Sequence, residues 1–271
     1  VYEKRVNSND LPFFSDLMSS LNKASFKCPA PILNTKNSTI TDFDGKKLMI
    51  VSFLEGKAKE SLSPANCRSI GSEIAKMHEL TKNLKLNRQN DLSVNSWRKL
   101  FDSVKDRCAK IHKDLPKLIE ENLYDVEKNW PKNLPKGIIH ADLFHDNILF
   151  IQDKFSGVID FYFSCEDFFA FEIAICFNAL CFDGLKNNLS FNVTKAKNLI
   201  DGYTAVRMLT DEEINSIKVL SQGAALRFLL TRVFDALNTV EGAIVKIKDP
   251  VEYLKRLEFH KNAKNNEDYF F

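Results

Sequence analysis

The first part of the chain predicts one helix followed by two or three strands. Apolar residues over 7–23 recur every three or four positions, which is the helical repeat (Leu11, Phe14, Met18, Leu21). A turn at 42–45 precedes the apolar run 47–54, which predicts a buried strand. Because so few strands do not make a stable sheet on their own, this part is expected to pack on the rest of the chain.

From residue 63 onward the pattern is mainly helical. Helices are predicted over 65–80, 94–114, 118–129, 193–206, 211–236 and 250–261. One extended island interrupts them, made of short β-branched and aromatic runs at 137–140, 148–151 and 157–160. The pattern predicts an α+β fold of two lobes. We expect residues 1–56 to belong to the N-terminal lobe and its hinge, and 57–271 to a larger, mainly helical lobe.

Composition excludes few classes of function. Hydrophobic residues make up 44% and charged residues 27% of the 271 residues, as in ordinary globular enzymes. Lysine and arginine number 38 against 36 acidic residues, so the formal charge is only +2. This balance does not support a surface that binds nucleic acid or membrane.

The cysteines and the termini bear on the compartment. None of the six cysteines has C-x-x-C spacing and none clusters with histidine, so we expect no zinc site and reduced thiols in a cytoplasmic protein. No stretch approaches the roughly 20 apolar residues of a membrane span. Residues 1–5 do not form a signal peptide. Because they lack a starting Met and read like the end of a strand, we expect the chain to be a fragment.

The chemistry is concentrated in one segment. His140-x-Asp142 is followed by Asn147, and Asp160 ends a strand thirteen residues after that asparagine. Phosphoryl transfer needs positioning and charge neutralisation around the γ-phosphate. In this pattern Asp142 can accept the proton of an attacking hydroxyl. Asn147 and Asp160 can give oxygen ligands to Mg²⁺.

Each of these residues also has an ordinary structural interpretation. Acidic loops are commonly turns, and a histidine beside a strand is commonly part of the core. The complete set, with apolar strands at each expected place, favours a phosphotransfer site. For His140 we expect a structural role, in which it packs beneath the loop and fixes the backbone around Asp142.

The segment resembles the aminoglycoside phosphotransferase and choline kinase superfamily, which has a protein-kinase-like fold. The H-x-D-x-x-x-x-N loop and an I-D-F motif at Ile159–Phe161 carry this resemblance. More closely, 137–150 and 157–165 are similar to the homoserine kinases that adopt this fold. The likeness extends to 2–6, 10–14, 52–56, 225–228 and 248–250.

The resemblance implies ATP and Mg²⁺ as cofactors, Asp142 as catalytic base, and Asn147 and Asp160 as metal ligands. It also implies a hinge that meets the adenine, formed by Ser52, Phe53, Leu54 and Glu55 together with Gly56. The glycine-containing phosphate loop of such families is absent from this chain. Lys4 and Arg5 are candidates for the phosphate-binding cation of the small lobe, with solvated surface charge as the alternative.

The resemblance further implies L-homoserine as substrate, with O-phosphohomoserine on the route to threonine as product. Its carboxylate and ammonium need a cation and an acid near Asp142. The candidate cations are Arg227 and Arg232, and the candidate acid is Glu166, next to Asp167.

Other interpretations stay open at this point. One is a kinase of another amino alcohol or of an aminoglycoside. Choline would call for an aromatic cage with carboxylates. The aromatic runs 161–163 and 168–169 are candidates for it, with core packing as the alternative explanation for most of them. The other is a non-catalytic ligand-binding protein of the same fold. The partner is expected to be a small molecule, and the oligomeric state stays open.

Overall fold

The computed structural model describes residues 7–184, 188–239 and 248–270. The expected strand end at 1–5, with Lys4 and Arg5, lies outside the described residues. The helices are α1 Leu11–Lys23, α2 Pro64–Thr81, α3 Val94–Asp102, α4 Lys105–Cys108, α5 Leu115–Asn129, α6 Phe169–Leu180, α7 Val193–Thr204, α8 Asp211–Asn238 and α9 Val251–Asn262. The strands are β1 Ile40–Phe43, β2 Lys46–Met49, β3 Lys57–Ala58, β4 Lys136–Ile139, β5 Ile148–Ile151, β6 Lys154–Val158, β7 Cys165–Phe168, β8 Phe182–Asp183 and β9 Ser190–Phe191.

The predicted first helix is confirmed as α1. A proline stands in its first turn, where the missing N–H costs no hydrogen bond. Its apolar stripe packs into the core, with every member at most 2% exposed (Leu11, Phe14, Met18, Leu21).

The prediction of a buried strand over 47–54 is wrong. Strand β2 ends at Met49 and pairs with β1 across a turn at Asp44 and Gly45, where φ is 49° and 70°. After the strand, Ile50 and Phe53 are 58% and 88% exposed. Among the described residues β2 has β1 as its one strand partner. A two-stranded ribbon lacks the second layer that would cover an apolar run on both faces.

The extended island between the helices is confirmed and is larger than predicted. Strands β3, β5 and β6 form one antiparallel sheet, and β4 pairs with β7 as a separate ribbon. The loop between β4 and β5 contains the motif residues. The end of β6 leads directly to Asp160, so the two small sheets bring both parts of the motif together.

Close helix contacts hold the larger lobe together. Helices α2 and α7 cross at Gly71 and Gly202. A Cβ at Gly71 would lie 2.0 Å from the Leu199 carbonyl oxygen, and one at Gly202 would lie 1.9 Å from that of Arg68. The 28-residue helix α8 begins with a capping box between Thr210 and Glu213.

One helix prediction needs correction, and one helix was missed. The helix expected over 94–114 is broken between α3 and α4, where Val104 leaves the helical region with φ −124°. Helix α6 was not predicted. It is buried on all sides, so its run of apolar residues shows no helical period.

All six cysteines are free and buried. Within 7–184, 188–239 and 248–270, no helix has the length and apolar character needed to cross a membrane.

Two fully buried histidines make the folded chain sensitive to acid. The ring of His260 contacts the Asn178 side-chain oxygen and the Tyr269 hydroxyl at 3.0 and 3.1 Å. Burial, and then the charge of Arg256, lowers its pKa to about 3. Burial also lowers the pKa of His78. Both side chains are therefore neutral in the folded protein near neutral pH.

We expect the free energy of unfolding to fall as the pH drops below about 6.5, because the unfolded chain then binds protons that the folded chain excludes. Urea titrations at about pH 7.5 and about pH 5.5 measure this loss. The His260→Gln variant should lose less stability between the two pH values. His145→Gln, at an exposed histidine, should behave like wild type. An equal pH dependence in wild type and His260→Gln would contradict the assignment.

Candidate active site

The loop between β4 and β5 begins with a strained residue. Ala141 has φ 65°, in the left-handed region that residues with a Cβ rarely adopt. Such a conformation costs about 1–3 kcal/mol and persists only where the surroundings enforce it. It turns the chain sharply between His140 and Asp142. The strain therefore lies next to the predicted base.

A buried carboxylate enforces this turn. Glu172 of α6 is 0% exposed and accepts hydrogen bonds from the backbone N–H groups of both His140 and Ala141. On the other side, Nη1 of Arg227 donates to the Ala141 carbonyl oxygen at 2.6 Å. The strained residue is held through both its N–H and its C=O by opposite charges.

His140 ties the loop to the strand that precedes Asp160. The Asp142 N–H donates to His140 Nδ1 at 3.3 Å, so Nε2 carries the proton and donates to the Ile159 carbonyl oxygen at 3.0 Å. The side chain is 0% exposed. The predicted structural role of His140 is confirmed.

Asn147 closes the loop on itself. Its Nδ2 donates to the Asp142 carbonyl oxygen at 2.8 Å and lies 3.3 Å from the Asp142 carboxylate. The backbone carbonyl oxygen of Asn147 accepts a hydrogen bond from the Ile159 N–H at 3.0 Å. Because the side-chain nitrogen faces Asp142, the side-chain oxygen on the same planar amide faces away from Asp142.

The electrostatic surroundings favour Asp142 as a proton acceptor. Burial raises the pKa of its carboxyl group, and the nearby charge of Asp160 acts in the same direction. The positive charges of Arg227 and Lys248 oppose this shift. A carboxylate with a raised pKa binds a proton more strongly than an exposed one.

Asp160 lies at the edge of a cavity. It has φ 66° and ψ 58°, and its side chain is exposed. The cavity has a volume of about 290 Å³, and its other lining includes Ser52, Phe53, Leu54 and Gly56. Glu55 is not part of this lining, and its carbonyl oxygen accepts a hydrogen bond from Ser156 instead. Three of the four residues predicted to contact the nucleotide therefore lie together, beside the predicted metal ligand.

Asn147 and Asp160 suit a hard cation that keeps most of its positions for other ligands. The Asn147 amide oxygen and the Asp160 carboxylate accept no hydrogen bond from any described residue. Nowhere in the described ranges do three or more His, Cys, Asp or Glu side chains form a metal-binding cluster. One carboxylate and one amide fit Mg²⁺, which protein sites commonly bind through few side chains together with phosphate oxygens.

The three predicted substrate residues lie in different places. Arg227 is 1% exposed and donates its hydrogen bond to the backbone of the loop at Ala141, so this geometry does not favour contact with a substrate. Glu166 of β7 pairs with Lys136 at 2.5 Å and lines a separate groove of about 1050 Å³. Arg232 donates to Glu252 at 2.9 Å beside Tyr253, on the side of α9.

Sequence reasoning missed Glu172. A signal was present, because this glutamate is the single charged residue in the run 168–177. A charged residue inside a helix that is otherwise apolar is either paired or engaged in hydrogen bonds.

The chain matches the model of the phosphotransferase enzyme family over residues 1–209. Among curated proteins, it is 43% identical to a homoserine kinase of Sinorhizobium fredii over 269 residues, covering 99% of this chain and 82% of that protein. It is 44% identical to a homoserine kinase of Parvibaculum lavamentivorans, covering 99% of this chain and 83% of that one.

Solved structures share the fold at low sequence identity. An amicoumacin kinase in complex with AMP-PNP, Ca²⁺ and Ami has a TM-score of 0.68 at 12% identity, covering 96% of this chain and 79% of that chain. A choline kinase from Cryptosporidium parvum has a TM-score of 0.63 at 17% identity, with 96% and 79% covered. The predicted two-lobed, protein-kinase-like α+β fold is confirmed.

The hydrogen bonds of Glu172 can be tested without an activity assay. In Glu172→Gln an NH₂ group faces one of the two loop N–H groups, so one hydrogen bond, worth about 1.5–3 kcal/mol when charge-assisted, is lost. We expect amide exchange at His140 and Ala141 to accelerate at least about tenfold. Hydrogen–deuterium exchange followed by mass spectrometry measures it on a peptide that spans the loop.

The control is Glu213→Gln, which removes another fully buried carboxylate. Glu213 caps α8 and pairs with Arg207, and its described hydrogen bonds are with Arg207 and Thr210, not with the loop. Its replacement should lower stability while leaving loop exchange unchanged. Equal loop exchange in Glu172→Gln and wild type would contradict the role assigned to Glu172.

Proposed function

Because the chain belongs to the phosphotransferase enzyme family and, within it, to the homoserine kinases, we propose that it transfers the γ-phosphoryl group of ATP to the hydroxyl of L-homoserine. The product is O-phospho-L-homoserine, an intermediate of threonine biosynthesis. ATP and Mg²⁺ are the proposed cofactors. The observation that carries the proposal is the hydrogen-bonded group of Asp142, Asn147 and His140, which is linked to the strand end at Asp160.

The proposed roles follow from the geometry. Asp142 orients the substrate hydroxyl and takes its proton as the new oxygen–phosphorus bond forms. The bond between the γ-phosphorus and the oxygen bridging to the β-phosphate breaks, and ADP leaves. Transfer is direct, since the substrate hydroxyl is itself the nucleophile and no phosphorylated protein side chain is needed.

Asn147 and Asp160 would hold Mg²⁺, which supplies charge neutralisation at the phosphates. The cavity lined by Ser52, Phe53 and Leu54 supports binding of the adenine, and Glu55 is retained as a neighbouring backbone contact. We place the boundary between the lobes at residue 56, where Gly56 has φ 133°.

The experiment that tests the function is an assay of ADP release with Mg²⁺–ATP against L-homoserine, serine, choline and kanamycin. Selective turnover of homoserine is the expected result. Activity on another alcohol without homoserine turnover would keep the kinase and overturn the substrate. No turnover of any of the four would favour a non-catalytic protein of this fold.

We expect Asp142→Asn to lower kcat by about 100-fold or more, because it removes a general base while preserving size. The affinity for ATP should change little. Steady-state kinetics and nucleotide titration measure both quantities. A large loss of ATP affinity with little loss of kcat would contradict this role.

Asp160→Ala should act on the metal-bound nucleotide instead. We expect the KM for Mg²⁺–ATP to rise about tenfold or more, because one of two protein ligands is lost. Asp146→Ala is the control, since Asp146 is an exposed carboxylate of the same loop that pairs with Lys248. Equal KM values for ATP in Asp160→Ala and wild type would exclude Asp160 as a ligand.

A further inference from the structure

Helix α9 brings a group of polar side chains close to the catalytic loop. The Tyr253 ring lies 5.5 Å from that of Phe228, and Phe228 lies 4.9 Å from Phe144 of the loop, measured between ring centroids. Burial raises the pKa of the Tyr253 hydroxyl, and the negative charge of Asp142 acts in the same direction. The ring contacts through Phe228 thus connect the first turns of α9 to the catalytic loop at Phe144.

Two guanidinium groups lie over the ring of Tyr253. The distance from the guanidinium carbon to the ring centroid is 4.5 Å for Arg232 and 4.6 Å for Arg256. Arg232 comes from α8 and Arg256 from α9, one turn beyond Tyr253. The side chains of both arginines are largely buried, at 12% and 13% exposed.

Three buried donors in this group have no acceptor among the described residues. The Tyr253 hydroxyl and the Nε and Nη1 atoms of Arg256 are shielded from solvent and make no hydrogen bond with the described part of the chain. Leaving a buried polar group unsatisfied costs about 1–3 kcal/mol. Buried polar groups in native proteins are nearly always hydrogen-bonded to protein, ordered water or a bound ion, so several side by side call for an acceptor.

Among the described residues, one carboxylate is in ion-pair contact with both arginines. Arg232 and Arg256 share Glu252, at 2.9 and 3.8 Å, and Asp142 adds a second negative charge in the surroundings of Tyr253. The 3.8 Å contact is too long for a hydrogen bond, so Arg256 keeps donors that need an acceptor. An anion with two acceptor oxygens would supply it, and arginine binds carboxylates through two parallel hydrogen bonds.

We propose that Arg232, Tyr253 and Arg256 form the subsite for the carboxylate of the amino-acid substrate. The inference rests on the proposed function and deepens it. Carboxylate and hydroxyl are at opposite ends of the homoserine carbon chain, so an anchor for one end positions the other at Asp142. The subsite also selects amino acids over amino alcohols, because an amino alcohol leaves the same buried donors unpaired.

Two inhibitors that each lack one charged group test the subsite. The first, γ-hydroxybutyrate, keeps the carboxylate and hydroxyl of homoserine and lacks the ammonium. Propanolamine keeps the ammonium and hydroxyl and lacks the carboxylate. Inhibition constants for both, with KM values for L-homoserine and ATP, are measured on wild type, Arg256→Met, Tyr253→Phe and Lys255→Met. Lys255→Met is the control, because Lys255 is the exposed neighbour on the same helix.

For Arg256→Met we expect the KM for homoserine and the inhibition constant for γ-hydroxybutyrate to rise about 30-fold, as for the loss of a charge-assisted hydrogen bond. The KM for ATP and the inhibition constant for propanolamine should stay within about twofold of the wild-type values. Tyr253→Phe should weaken the same two ligands about fivefold, since one neutral hydrogen bond is lost. Lys255→Met should resemble wild type.

An unchanged KM for homoserine in Arg256→Met would overturn the subsite. Equal weakening of γ-hydroxybutyrate and propanolamine would also overturn it, since that result indicates general distortion. If Arg256→Met does not fold, Tyr253→Phe decides, because it removes a single oxygen atom. If wild type does not phosphorylate homoserine, the proposed function fails. Calorimetric binding of γ-hydroxybutyrate to wild type and Arg256→Met then decides the subsite separately.

Discussion

The hydrogen bonds from the His140 and Ala141 N–H groups to the buried Glu172 carboxylate are the interaction on which the functional part of this fold depends. They fix Ala141 in a left-handed conformation that its side chain disfavours. That turn directs the chain from β4 into the loop and sets the position of Asp142. Helix α6, which is buried on all sides, holds this one carboxylate in place.

The remaining contacts of the loop extend the same constraint to the metal-binding positions. His140 links Asp142 to the carbonyl oxygen of Ile159, which directly precedes Asp160. Asn147 links the end of the loop back to its beginning. The base and the two proposed metal ligands are therefore joined through backbone groups, and a shift of one moves the others. Such preorganisation is what phosphoryl transfer requires of a protein.

The chemistry of the site could be predicted from sequence because its members lie within one short segment at fixed spacing. The helices of the larger lobe could be predicted where one face is polar, as in α2 and α7. Helix α6 could not, since a fully buried helix has no polar face to reveal its period. The single charge of Glu172 in that apolar run indicates a buried, hydrogen-bonded group, but its partners at positions 140–141 are far away in the sequence. The burial of Arg227 and the grouping of Arg232 with Tyr253 depend on how α8 and α9 pack. Spacing along the chain does not contain that information.

Direct transfer from ATP to the substrate hydroxyl is the central claim, and the stereochemistry at phosphorus tests it most directly. ATP made chiral at the γ-phosphorus with the three oxygen isotopes is turned over with L-homoserine, and the configuration of the phosphorylated product is determined. A single in-line displacement predicts inversion. Retention would require two displacements through a phosphorylated side chain and would contradict the role of Asp142 as a base.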